Sequence, residues 1–321
     1  MTGSEIRSVA VLKGGSSLER QVSLRSGARV GNALRERGYD VTEIDVGSDL
    51  VTQLQALQPD VAFIAVHGRG GEDGTIQELL EILRIPYSGC GVLSSIRCMD
   101  KVIAKLMFQE AGIPTPDFAA FNETAFRQLG AGQALGAIEA QLGFPVVVKP
   151  ARQGSALGVT LAADAAAVPG ALVDAFSYDD RVLLERYVKG RELAVSLLDG
   201  EVLPIIEAFP HGEGFFDFES RYEIGKTTFV CPADLDAETT ARIEELSRTT
   251  YSLLGCHGFA RVDFILPHDD EPQILEINSI PGLTDTSLMP QAAEAAGISF
   301  SDLAERLLLT ASTRKPLSAT L

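Results

Sequence analysis

Tryptophan is absent from the chain, and cysteine and histidine occur four times each. The cysteines, Cys90, Cys98, Cys231 and Cys256, form no CxxC pair, and the histidines supply no cluster with them. That pattern argues against a zinc site and reads as reduced thiols. Basic residues are also scarce: 27 Lys and Arg stand against 44 Asp and Glu, a formal net charge of −17. A nucleic-acid partner is therefore not expected, because affinity for a phosphate backbone comes mainly from clustered Lys and Arg. Long apolar runs are missing as well. No stretch approaches the roughly 18 to 20 residues that span a bilayer, so no membrane partner is expected. The first residues, MTGSEIRSVAVL, lack the basic-then-apolar layout of a secretion signal, and the expected compartment is the cytoplasm.

What the chain does contain is ordinary globular material: 321 residues, 45% hydrophobic and 22% charged, enough for two or three cores. The first third alternates strand and helix patterns. SVAVL ends in a turn at Gly14-Gly15, a helical pattern follows from about Ser23 to Arg37, and VTEID and VAFIAV supply further strands. This punctuation predicts an α/β unit with a parallel sheet, ending near residue 90. The middle opens on a helical KVIAKLMFQEAGI broken by Pro114 and Pro116, and leads to FPVVVKP and the loop RQGSALGV. VLLERYV and ELAVSLLDGEVLPII follow as strands, with Asp199-Gly200 as a hairpin turn. The remainder therefore reads as α+β with antiparallel sheet. Residues 210–232 have no clean period and are expected to form a functional loop such as a lid. Residues 314–321 read as a tail.

The strongest local signal is a pair of strands, ARVDFIL (260–266) and ILEINSIPG (274–282), separated by the polar PHDDEP. A hairpin pairing residue 266 with 273 sets Asp263 opposite Glu276 and Arg261 opposite Asn278, all on one face, with Leu275 and Ile277 on the other. Two directly opposed carboxylates repel unless a cation sits between them. Asp, Glu and Asn offer hard oxygen ligands suited to Mg²⁺. The plain alternative is that Arg261 neutralises a solvent-facing acid pair. A second signal is Lys149, which closes an apolar strand just before a Gly-Ser loop. A buried lysine wants an anion and the loop offers backbone N–H groups, so the two resemble a phosphate cradle. GKT at 225–227 is no P-loop, since Ser220 stands where the leading glycine is required. Together these features point to phosphoryl transfer from a nucleotide, by a ligase or a kinase.

Five segments in this order, GGSSLERQVSLRSG, HGRGGEDGTIQELLE, VVVKPARQGSALGV, GCHGFARVDF and LEINSIPGLTDTSLMP, resemble the D-alanine–D-alanine ligase family of the ATP-grasp superfamily. The likeness runs over nearly the whole chain. It implies a three-domain fold: a Rossmann-like, D-alanine-binding domain over residues 1–90, a central ATP-grasp domain over 91–184, and a C-terminal ATP-grasp domain over 185–313. The last two would clasp ATP between antiparallel sheets, with the lid at 210–232. By matching, Asp263, Glu276 and Asn278 would hold two Mg²⁺ or Mn²⁺ ions. Lys101, Lys149 and Arg221 would meet the ATP phosphates, while Glu185, Val188 and Glu192 would meet adenine and ribose.

The same matching implies that Glu19 engages the ammonium of the first D-alanine and joins Ser155 and Tyr222 in a triad pinning the lid. His67 lies in the substrate-side loop. Arg261 and the Gly282 N–H would form an oxyanion site, and Ser287 with Leu288 would receive the second D-alanine. The activity implied is ATP-dependent joining of two D-alanines through an acyl phosphate, for peptidoglycan precursors, by a homodimer. The sequence departs from the common pattern at Arg221, where lysine is usual, and at Gln153, Ala156 and Ile280. Alternatives are a ligase making a depsipeptide or D-alanyl-D-serine, which Tyr222 disfavours in the ester case, and a nucleotide-binding relative without turnover.

Overall fold

The computed structural model describes residues 6–130, 135–210, 227–268 and 271–313. Its first sheet contains β1 (Ser8–Lys13), β2 (Asp40–Asp45) and β3 (Val61–Ile64), ordered β2-β1-β3 and parallel throughout. β1 is buried along Val9–Leu12 because helices cover both faces, which is why it reads as a continuous apolar run. α1 (Arg20–Glu36), α2 (Leu50–Leu57) and α3 (Thr75–Ile82) supply that cover. α1 lies close to the sheet because Gly27 faces it: a Cβ there would stand 2.5 Å from that of Lys13. The helix starts at Arg20, three residues before the expected Ser23. Glu19 therefore takes the N-cap position, yet its carboxylate caps nothing, which leaves it available elsewhere.

α4 (Val92–Met99) and α5 (Lys101–Glu110) follow, joined by Asp100, whose carboxylate accepts from the N–H groups of Val102 and Ile103. β4 (Phe118–Asn122), α6 (Glu123–Gln128), α7 (Leu135–Leu142), β5 (Val146–Pro150), β6 (Thr160–Ala162), α8 (Val168–Phe176) and β7 (Arg181–Arg186) build an antiparallel sheet ordered β4-β7-β5-β6. The domain boundary expected at 184/185 falls inside β7. The strand stays whole because its residues from Arg181 to Glu185 all pair with β4.

A six-stranded sheet comprises β8 (Gly190–Leu198), β9 (Glu201–Val202), β10 (Ile206–Pro210), β11 (Thr227–Val230), β12 (Phe259–Pro267) and β13 (Gln273–Asn278). Asp199 and Gly200 make the expected two-residue turn, both at positive φ. The stretch 210–232 is not a loop throughout. Pro210 ends β10 and pairs with Thr227 of β11, while 211–226, including Arg221 and Tyr222, lie outside the described residues.

α9 (Ala237–Leu254), α10 (Leu288–Ala295) and α11 (Phe300–Thr313) complete the chain, and packing does not respect the sequence thirds. Cys98, Ala104 and Phe108 of α4 and α5 share a core with Leu193, Val262 and Phe264 of the six-stranded sheet. Leu303, Leu307 and Leu308 of α11 pack with Val9, Val30 and Phe63 of the first unit. Cys98 and Cys256 meet as free thiols with sulfurs 3.6 Å apart. Among the described residues no helix is long and apolar enough to cross a membrane.

Because α11 closes the first core, Leu307→Ala is expected to cost about 2–5 kcal/mol. Urea unfolding followed by circular dichroism should show a lower midpoint at unchanged slope; an unmoved midpoint would mean that α11 is peripheral.

Candidate active site

The acid hairpin forms with one change of register. Arg261 pairs with Asn278 and Asp263 with Glu276 as the alternation predicts, but Phe264 pairs with Ile274 and Ile265 with Gln273. Residue 266 thus does not face 273. Leu275 is the extra residue of a β-bulge, and the local twist turns it into the cleft beside Asp263 while Ile277 stays in the core. The bulge lies beyond Glu276, so the acids keep their opposition.

Cations hold them there. Arg261 forks onto Asp263, Nε to Oδ1 at 2.6 Å and Nη2 to Oδ2 at 2.8 Å. Lys101 Nζ stands 3.1 Å from Glu276 Oε2 and donates to the Gln153 carbonyl at 2.7 Å. Arg261 and Asp263 are both buried, so the pair is not the solvent-facing one of the plain alternative. Asn278 Oδ1 accepts from the Ile280 N–H at 2.8 Å. Two carboxylates and an amide oxygen on adjacent strands are a donor set that fits Mg²⁺ or Mn²⁺.

Across the cleft Glu19 is 6% exposed and accepts a hydrogen bond from Ser155 Oγ on Oε1. Its Oε2 is buried with no hydrogen-bond partner among the described residues. Burial, and then the nearby Glu72 carboxylate, push the Glu19 pKa above its ordinary 4.5. A cationic ligand group would relieve both. Gly68, at φ +72, closes over this carboxylate: a Cβ there would lie 2.5 Å from Oε2. Ser155 and Ala156 both sit at φ 55, which bends the loop after β5 back toward Glu19.

His67 borders the same cavity, but both its ring nitrogens are engaged. Nδ1 lies 3.0 Å from the Ile280 carbonyl, which can only accept, so Nδ1 carries the proton. Nε2 then accepts from Ser26 Oγ at 3.0 Å, and Ser26 Oγ accepts from the Leu283 N–H at 3.2 Å. Arg29, one turn along α1, donates to the carbonyls of Leu283 and Thr284 at 3.1 and 2.9 Å. The segment 280–284 is thereby clamped onto the first unit. Ile280, the departure before Pro281, is buried in the core with Leu12 and Tyr87.

This clamp positions Gly282 and Ser287. The Ser287 hydroxyl accepts from the Thr284 N–H at 3.0 Å, and a Cβ on Gly282 would come within 2.7 Å of it. Leu288, the first residue of α10, lines the cavity beside Ser287 with Glu192 and Leu275. Arg261 and Gly282 border this cavity and the one holding Glu19, His67, Ser155, Glu276 and Asn278.

Lys149 and Glu185 form a buried ion pair, Nζ to Oε1 at 2.6 Å. Sequence reasoning placed both near a nucleotide but missed their third member. Lys105, fully buried, stands 2.6 Å from Glu185 Oε2. That contact does not meet hydrogen-bond geometry, so Oε2 lacks an aligned donor among the described residues. Burial pushes the Lys105 pKa down to about 8 despite Glu185. The signal available was its spacing, one helical turn after Lys101 in KVIAKLMF. Val188 is half-buried between β7 and β8 and, like Lys105, Lys149 and Glu185, borders neither cavity.

Comparison with known proteins gives the family. Residues 48–90 match the family model "D-ala D-ala ligase N-terminus" and residues 107–309 match "D-ala D-ala ligase C-terminus". The chain belongs to the D-alanine–D-alanine ligase family. It is 46% identical to the D-alanine–D-alanine ligase of Syntrophotalea carbinolica, over 96% of this chain and 97% of that one. It is 43% identical to that of Geobacter sulfurreducens, over 97% and 96%. The fold is the ATP-grasp fold of the family. The crystal structure of the Bacillus anthracis ligase complexed with ATP superposes with a TM-score of 0.82 at 35% identity, covering 96% of this chain and 98% of that one. The VanG D-Ala:D-Ser ligase of Enterococcus faecalis superposes with a TM-score of 0.81 at 29% identity, covering 96% and 100%.

Since Glu72 is the second cause of the raised Glu19 pKa, Glu72→Gln should lower it while its amide oxygen still accepts from the Gly68 N–H. Carboxyl ¹³C NMR should place Glu19 above 4.5 in the parent and lower in the variant. No change would mean that burial alone sets the value.

Proposed function

We propose that this chain joins two D-alanines at the expense of ATP, yielding D-alanyl-D-alanine, ADP and phosphate. The observation that carries the reading is the Glu19 carboxylate. A buried acid with one oxygen unpartnered among the described residues invites an ammonium, and it opens on the same cavity as Arg261, Glu276, Asn278 and the Gly282 backbone. An amino acid bound by its amine at Glu19 would present its carboxylate to that cationic and oxygen-donor face.

The chemistry then runs in two steps. The carboxylate of the first D-alanine attacks the γ-phosphorus of ATP, the bond to the ADP oxygen breaks, and an acyl phosphate forms. The amine of the second D-alanine, its ammonium proton lost to solvent, attacks the acyl carbon; the bond from that carbon to the phosphate oxygen breaks, phosphate leaves with the electron pair, and a second proton leaves the nitrogen as the amide forms. Lys101 and Lys149 would bind the phosphates, the latter turning from Glu185 to do so. Asp263, Glu276 and Asn278 would hold Mg²⁺ or Mn²⁺, which supplies charge neutralisation of the phosphates when bound. Arg261 and the Gly282 N–H would stabilise the oxyanion that develops at the acyl carbon.

At the acceptor end, Ser287 and the N-terminus of α10 at Leu288 would receive the second D-alanine's carboxylate, where helix N–H groups favour an anion. His67, with Nδ1 on the Ile280 carbonyl and Nε2 on Ser26, which itself accepts from the Leu283 N–H, would act by holding that segment. Glu185, Val188 and Glu192 would meet adenine and ribose. Arg221 and Tyr222 would come from the lid, Tyr222 completing the triad with Glu19 and Ser155 and excluding water from the acyl phosphate. A homodimer in the cytoplasm serving peptidoglycan synthesis completes the reading, which rests here on family membership.

Phosphate release should require D-alanine, ATP and Mg²⁺ and should yield the dipeptide by mass. Release only with D-alanine plus D-serine would move the acceptor assignment, and none with any pair would overturn the reading. Glu276→Gln should lower kcat on the order of 10²–10³-fold, the scale for losing one preorganised charge-stabilising group, with the melting temperature little changed. Near-normal turnover would remove Glu276 from the metal site.

A further inference from the structure

A fully buried lysine with no direct role in the reaction is Lys105. Nothing in a soluble core requires an ammonium there, and burying one is costly unless an anion is fixed beside it. Its surroundings show what it is fixed to. Nζ stands 2.6 Å from Glu185 Oε2. It donates to Thr115 Oγ1 at 2.5 Å, and that hydroxyl passes its own hydrogen to the Ile274 carbonyl at 2.7 Å. The Phe118 ring lies 5.4 Å away. Lys105 therefore knits α5 to β7 and to β13 beside the bulge that turns Leu275 into the cleft.

Lys149, the other cation on Glu185, is differently placed. It sits at the end of β5 just before the Gly-Ser loop, and on the reading above it turns to a phosphate when nucleotide binds. Glu185 would then lose one of its two countercharges while remaining buried. Without a second cation its carboxyl would take up a proton. Lys105 cannot follow Lys149, because its ammonium is tied to Thr115 and has no exposure.

We propose that Lys105 is the positioning residue that keeps Glu185 an anionic acceptor in the loaded enzyme, and so selects a nucleotide base with an amino group at position 6 over one with a carbonyl. An anionic Glu185 accepts from an exocyclic amine and repels a 6-oxo group. A protonated Glu185 donates to the 6-oxo group instead. The inference rests on the proposed nucleotide site and adds to it the source of base selectivity.

The test compares kcat/KM for ATP and inosine triphosphate, which differ at position 6, in the parent, Lys105→Met, Glu185→Gln and the double variant. The parent should prefer ATP. Lys105→Met should lose about 10- to 100-fold in kcat/KM for ATP, the range for losing a hydrogen bond to a charged group, and the loss should fall on KM. Activity with inosine triphosphate should hold or rise, so the preference collapses. Glu185→Gln should collapse it likewise, and the double variant should be no worse than either single one.

Equal losses with both nucleotides in Lys105→Met would reduce Lys105 to a structural residue and overturn the proposal. Should Lys105→Met fail to fold, the double variant, which removes both buried charges, carries the same comparison against Glu185→Gln; any further loss of preference from the added Lys105→Met change would then contradict it. If Glu185→Gln leaves the preference intact, the base contact at Glu185 falls, and the proposal with it. A collapse in Glu185→Gln but not in Lys105→Met overturns the role of Lys105 alone and leaves the nucleotide site standing.

Discussion

Asp263 and Glu276 face each other across one antiparallel strand pair in a buried cleft, and that opposition has to be balanced by positive charge. A sheet face cannot hold two adjacent carboxylates in a poorly solvated place unless cations are supplied. In a chain with a net charge of −17 such cations are few, and their distribution is informative. Among the described residues the buried cations are Lys101, Lys105, Lys149 and Arg261. Two sit on the hairpin acids and two on Glu185. The desolvated positive charge among the described residues is thus confined to two acid sites, joined through α5, which carries Lys101 on one and Lys105 on the other.

Fixing those cations requires elements remote in sequence. α5 carries Lys101 and Lys105 one turn apart, so a single rigid helix serves the hairpin acids from its first residue and Glu185 one turn later. That helix is held in register because its apolar face, with Ala104 and Phe108, packs into the core of the six-stranded sheet. On the opposite wall Ser26, Arg29 and His67 hold segment 280–284 by its backbone, so Gly282 and Ser287 take their positions from the first unit although they follow the last strand. The site belongs to no single domain. Its geometry depends on how the first and last parts of the chain are locked together, which α11 does by closing the first core.

Much of this was legible in residue patterns. Period-2 alternation in ARVDF and LEIN placed Arg261, Asp263, Glu276 and Asn278 on one face, and that holds. The pairing predicted from loop length failed at residue 266, because loop length says nothing about an extra residue within a strand, and the bulge at Leu275 absorbs one. Helix α1 began earlier than its apolar pattern implied, since Arg20 and Gln21 are polar but helical, and that shift makes Glu19 an N-cap residue. Lys105 went unread for a related reason: a lysine at helical spacing on an otherwise apolar stretch looks like a surface residue until its burial is known.

The sequence by itself determined the fold class, the paired strands with their acids, the glycine-bearing loops and, through five motifs, the family, because these depend on local periodicity and on residue identity at short spacing. Only the tertiary structure decided which countercharge each acid receives, that both nitrogens of His67 are occupied, that Ile280 is a core residue, and that α4, α5 and α11 pack outside the expected domain limits. The physical reason is that pairing and burial are set by contacts between residues far apart in the chain. Lys105 and Glu185 are 80 positions apart, and no periodicity connects them.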